Sequence, residues 1–182
     1  MHVNTQQAHD DAPVTASKTA DPARSLLAVA VTVNRPPDEL FAFWRDPRNL
    51  VLVMENIEQI EVLDDQRSRW TVKAPGGGTV SWESHITHEV PGKEITWQSA
   101  DADVPNSGRI TFTDAGPRGT VVRAVVAYDP PGGSVGKLVA KLFQREPRIQ
   151  TRRDLRRLKQ LMETGEIATA ARNREILAEG KN

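Results

Sequence analysis

Four histidines, one tyrosine and scattered serines and carboxylates are the groups of this chain that could do chemistry. His2 and His9 sit in a polar stretch with no apolar neighbours to fix them. His85 and His88 lie three apart in an alternating run, and on a regular strand that spacing turns them to opposite faces. They therefore cannot share an ion, and with no cysteine in the chain there is no thiolate to complete a zinc site, so no metal is expected. His85 falls on the wet face of the run and His88 on its apolar face, near the end. General acid–base work needs a titratable group inside a cavity, and Tyr128 and His88 are the two candidates. Ser84 shares the apolar face but has no evident His–Asp partner, so it is not read as a triad nucleophile. Gly76-Gly77-Gly78 lacks the Lys-Ser/Thr of a phosphate loop and opens no helix, so it reads as a hairpin turn. Gly132-Gly133-Ser134 does open a helix, with Ser134 as its N-cap.

The elements that must position these groups follow from periodicity. Leu27, Val29, Val31 and Val33 alternate as in a strand. Pro36-Pro37-Asp38-Glu39 then starts a helix, because proline lacks an N–H that the first turn cannot pair and acids suit the positive helix end. Leu40, Phe41, Phe43 and Trp44 supply its apolar stripe. Asp46-Pro47 stops it, and a second short helix runs through residues 49–53. Strands follow over residues 57–63, 68–73, 79–90, 94–99, 108–113 and 120–128, separated by turn residues, which describes an antiparallel meander. In the longest, Val80, Trp82, Ser84, Ile86, His88 and Val90 are expected to share the inner face. A last helix begins near Ser134, is interrupted at Pro147, and resumes with Leu155, Leu158, Leu161 and Met162 on one stripe.

Composition sets the remaining limits. With 24 basic and 24 acidic residues the net charge is zero, which argues against a chain built to coat DNA. The longest strongly apolar run, residues 26–33, is far short of the ~20 needed to span a bilayer, and residues 1–24 carry no signal-peptide core. The expected location is cytoplasmic. Residues 1–24 read as a disordered arm, 25–165 as one domain and 166–182 as a polar tail. Charge is uneven: residues 36–66 hold eight acids and two bases, and residues 141–159 hold eight bases and two acids. Arg152, Arg153, Arg156 and Arg157 form the densest part of that basic stretch. It offers a contact for an anionic membrane or a ribosome, or else is a solvated helix face.

A curled sheet needs one face covered, and the last helix is the element long enough to do it. Space enclosed between them would be lined by Trp82, Ser84, Ile86, Trp97, Ile110, Phe112 and Tyr128 from the strands, with Leu138 and Leu142 from the helix. The order of elements, the Val33-Asn34-Arg35-Pro36-Pro37 helix start, the Trp82 strand ending in Val90-Pro91-Gly92-Lys93, Tyr128-Asp129-Pro130-Pro131-Gly132-Gly133, and the closing helix from Asp154 to Glu166 resemble the START-like (SRPBCC) superfamily. Within it they are most similar to the polyketide cyclase/dehydrase and coenzyme Q-binding START-like group. The resemblance covers roughly residues 25–166. It implies an α+β helix-grip fold, a curved antiparallel sheet of about seven strands around a long C-terminal helix. It also implies a hydrophobic small-molecule partner, such as a lipid, an isoprenoid or quinone, or an aromatic polyketide, with no cofactor. Three functions follow: a carrier or sensor of that molecule, a cyclase or dehydratase using the same cavity, or an interaction protein acting through the basic helix.

Overall fold

The computed structural model describes residues 25–73, 77–100, 102, 105–128 and 147–167. Seven strands form one antiparallel sheet: β1 (Ser25–Val33), β2 (Ile57–Val62), β3 (Arg67–Lys73), β4 (Thr79–Val90), β5 (Glu94–Ala100), β6 (Asn106–Asp114) and β7 (Thr120–Tyr128). Their spatial order is β1-β7-β6-β5-β4-β3-β2, so only β1 departs from the sequential meander, by pairing with the last strand. Helices α1 (Pro37–Arg45) and α2 (Leu50–Val53), joined by a 3-10 turn at Pro47–Asn49, follow β1, and α3 (Pro147–Thr164) closes the described chain. This is the helix-grip α+β architecture. Helix α3 is described from Pro147, the residue expected to interrupt the last helix. The expected helix start at Ser134, together with Leu138 and Leu142, lies outside the described residues.

One face of the sheet carries the core. Val29, Val31 and Val33 of β1, Ile110 and Phe112 of β6 and Val122 and Ala124 of β7 are buried there with Leu40, Leu50, Val53, Leu155 and Leu158 from the helices. The alternation of strand residues produces this face, and the i, i+3 spacing of Leu155 and Leu158 supplies the matching helix stripe. Helix α3 also caps the free edge of β1: Lys159 Nζ donates to Thr32 O at 2.7 Å, and Asn34 N–H donates to Glu163 Oε1 at 2.7 Å. An edge strand covered in this way offers no template for another chain.

The turn before β7 is joined to the start of α1. Gly119 has φ 91°, and a Cβ there would lie 2.2 Å from Val33 O, so the backbones touch where only glycine fits. Next to it Thr120, fully buried, donates its hydroxyl to Arg35 O at 2.7 Å. Thr120→Val should cost about 1–2 kcal/mol, because the Arg35 carbonyl is left unpaired while the side-chain shape is kept. Chemical denaturation measures this, and an unchanged midpoint would show that solvent replaces the bond.

Candidate functional site

The inner face of the sheet is the candidate site, and a bulge in β4 decides what faces it. Ile86 pairs with Trp97 but His88 pairs with Thr96, so Thr87 is an extra residue in β4. Before the bulge Val80, Trp82, Ser84 and Ile86 share the inner side, as alternation demands. After it the register flips, because one inserted residue reverses every later side chain. His88 is thereby moved to the outer face, where its side chain is 59% exposed and lies 3.4 Å from Glu94, itself 3.6 Å from Arg109. The expectation that His88 faces the cavity is corrected: it cannot act there. His85 also faces outward, 4.0 Å from Glu83, so the two histidines share a face instead of opposing. Among the described residues no cluster of metal-ligating side chains occurs.

The bulge sends Glu89 inward in place of His88. Arg45 of α1 meets it at 2.5 Å and donates to Asp65 O at 2.7 Å, fixing the helix across the end of the sheet. Phe41, one turn earlier on α1, packs edge-on against Phe112, ring centroids 6.0 Å apart. Gly92, in the β4–β5 turn at φ 68°, leaves the space that Asp38 occupies beside it. Sequence patterning shows α1 as apolar but carries no signal that Arg45 would pair with Glu89.

On the sheet, Trp82 stacks on Trp70 of β3, centroids 6.1 Å apart and planes 15° from parallel. Trp97 lies over Gly108, whose missing side chain leaves room for the indole. Ile110 and Phe112 are on the same face but fully packed, so they form the floor of the core. Tyr128 pairs through its backbone with Asn106 and Ser25; its side chain lies outside the described residues. Trp70, Ser68 and Phe41 join the inner face and were not among the expected lining. Trp70 and Ser68 could have been found by carrying the alternation of β4 across to the paired strand.

A groove of ≈ 480 Å³ opens between α1 and the β2–β3 turn, floored by Phe41, Ile86 and Ser68. Its rim is charged but internally neutralised. Arg48 donates to both Asp46 oxygens at 2.8 Å and holds that carboxyl below its usual range. The Asp64 carboxyl is held low by the Gln66 N–H and then by Arg67, whose Nε lies 2.5 Å away. Paired guanidinium groups leave no net field to draw an anion. An apolar floor inside a polar rim suits a hydrophobic molecule instead.

The basic residues of α3 divide. Arg152, Arg153 and Arg156 are exposed, whereas Arg157 turns inward to Glu55 and Leu52 O. Beside that pair sits Asp154. Burial, opposed by the Gln150 side-chain amide that donates to it at 2.8 Å, pushes its carboxyl up to about 7. The four arginines are therefore not one continuous stripe.

Residues 33–156 match the family model described as polyketide cyclase/dehydrase and lipid transport. The chain belongs to that family. A crystal structure from Deinococcus radiodurans is similar at 42% identity, covering 78% of this chain and 99% of that one, with a TM-score of 0.64. The Zhui aromatase/cyclase of a Streptomyces species matches at 14% identity over 80% of this chain and 99% of that one, TM-score 0.63. The di-domain aromatase/cyclase StfQ of the steffimycin pathway matches at 15% identity over 77% of this chain and 51% of that one, TM-score 0.59. The last two show the fold alone. Among curated proteins none matches the chain in sequence. Both roles in the family's description, cyclase/dehydrase and lipid transport, involve a hydrophobic small molecule. No described helix is long and apolar enough to cross a membrane.

Proposed function

We propose that this protein binds and carries a hydrophobic small molecule on the inner face of its sheet, with the groove beside α1 as the way in. The observation that carries this reading is the inner face itself. Trp70, Trp82, Ile86 and Trp97 present partly accessible aromatic and aliphatic surface, while the buried valines and Ile110 beneath α1 and α3 are fully consumed by packing. Large apolar side chains left partly open on a covered face are what a small-molecule site requires. Beside Trp82 and Trp97 the polar groups of that face are the Ser84 and Ser99 hydroxyls and the Asn106 amide, with Glu89 held by Arg45 farther along, which favours holding a ligand over moving a proton.

Native mass spectrometry of the freshly purified protein tests this. A fraction of molecules should carry extra mass that transfers to organic solvent on denaturation. Protein that is free of any such mass, and whose tryptophan fluorescence does not respond to the tricyclic hydrocarbon fluorene, would defeat the reading.

A further inference from the structure

The strand registers align four residues in a row across the inner face. Ser68 of β3 pairs with Ser84 of β4, and Ser84 pairs with Ser99 of β5. Extending the β5–β6 register by one residue past Gln98 and Ser107 brings Ser99 opposite Asn106. Strands lie about 4.8 Å apart, so the three hydroxyls span about 10 Å at one level of the sheet. Apolar side chains flank the row on both sides, two residues along each strand: Trp70 and Trp82 on one, Ile86 and Trp97 on the other. Chance placement of serine is unfavourable here, since Ser68 and Ser84 are each only 8% exposed on a face otherwise built from large apolar groups.

The hydrogen bonds give the row a direction. Ser68 Oγ accepts the Trp70 indole N–H at 2.9 Å, and Ser99 Oγ accepts the Asn106 backbone N–H at 2.8 Å. In both, the oxygen is engaged as acceptor and the hydroxyl proton is left to donate. Ser84, between them, makes no hydrogen bond among the described residues, and although the residue is only 8% exposed its Oγ is not enclosed by the protein. An accessible hydroxyl on an apolar face is free to donate to a ligand that lies against it.

We propose that this row of serines is a hydrogen-bond-donating belt, and that it selects ligands carrying a carbonyl-type acceptor oxygen on an otherwise apolar, flat frame, with Ser84 as the hydroxyl that meets it. The inference rests on the inner face being the binding site. A pure hydrocarbon chain would leave Ser84 unpaired, whereas an aromatic ketone lays its rings against the tryptophans and its oxygen on the belt. A ligand with two such oxygens about one strand spacing apart would engage Ser84 together with Ser68 or Ser99.

Fluorenone and fluorene differ by one carbonyl on the same frame, and titration of tryptophan fluorescence reads the binding of each to the full-length protein. Wild type should bind fluorenone about three- to tenfold more tightly, the range of one neutral hydrogen bond. Ser84→Thr and Ser84→Val have matched shapes and differ in the hydroxyl. The Thr variant should keep the preference and the Val variant should lose it, with fluorene binding alike in both. Equal binding of the two compounds by wild type, or a preference that survives in Ser84→Val, overturns the belt and leaves the binding site standing. If neither compound binds to wild type, the site itself is refuted, and the belt with it.

Discussion

Gly108→Ala should destabilise the protein by about 1–3 kcal/mol and displace the Trp97 indole. An alanine Cβ would lie 2.2 Å from Trp97 Cζ2, 2.5 Å from Cη2 and 2.7 Å from Cε2. Those separations are inside contact distance, so either the ring or strand β6 must move, which is the cost of overpacking a filled site. The φ of Gly108 lies outside the left-handed region, so strain of the new residue's own backbone contributes nothing. At an open strand position the same change would be mildly stabilising, because alanine restricts the unfolded chain. Denaturant midpoint and tryptophan emission measure the two halves of the effect. The displaced indole should also weaken binding of fluorene and fluorenone together, since both lie against it. An unchanged midpoint with an unchanged spectrum would show that the ring does not rest on the β6 backbone.

Asp154 should make the protein less stable as pH rises from about 4 to about 7. Burial raises its carboxyl from 3.8 to about 7, with the nearby Glu55 adding to the effect and Gln150 and Arg157 opposing it. Between those two values the folded state binds the proton more tightly than the unfolded chain does. Linkage therefore removes stability with increasing pH, up to about 4 kcal/mol in all, and the loss levels off above pH 7. The Gln150 amide, Arg157 and the Glu55 backbone N–H all favour the carboxylate, and burial outweighs them. Arg157 is already shared with Glu55 and the Leu52 carbonyl, and its Nε is buried without a partner among the described residues. Asp154→Asn keeps an oxygen for the Gln150 amide and removes the charge. Its melting temperature should vary little from pH 5 to 8 and exceed that of wild type at pH 8. A wild-type melting temperature that rises over this range would show that the carboxylate is stabilised by Arg157 more than it is penalised by burial.

How far the sequence discloses this molecule depends on the range of the interaction concerned. Strand alternation and turn residues are local, so β1 to β7 and the two short helices are legible to within a residue or two, the largest miss being β6, expected from Gly108 and beginning at Asn106. Trp82, Ser84, Ile86 and Trp97 are placed on the inner face by the same local rule. His88 is not, because the extra residue at Thr87 has no composition of its own: Ile86-Thr87-His88-Glu89 reads as plain alternation. Trp70 and Ser68 are missed for a different reason. Their face is set by pairing with β4, which no single-strand pattern contains. The Arg157–Glu55 pair joins positions about 100 residues apart in the chain, and helical spacing alone assigns Arg157 to the exposed stripe with Arg153 and Arg156.

The bulge at Thr87 has a consequence for how α1 is held. Strand β4 turns its first half toward the ligand-facing side and, after one step, turns Glu89 to the same side for Arg45. Deleting Thr87 would undo the step without changing the chemistry of any other residue. His88, then following Ile86 directly, would still pair with Thr96 on the outer face and Glu89 with Ile95 on the inner one, but the bend and added twist that the bulge gives β4 would be lost. The seat of the helix at the mouth of the site thus depends on the bulge through the bend of β4, while the faces of His88 and Glu89 are held by their partners on β5.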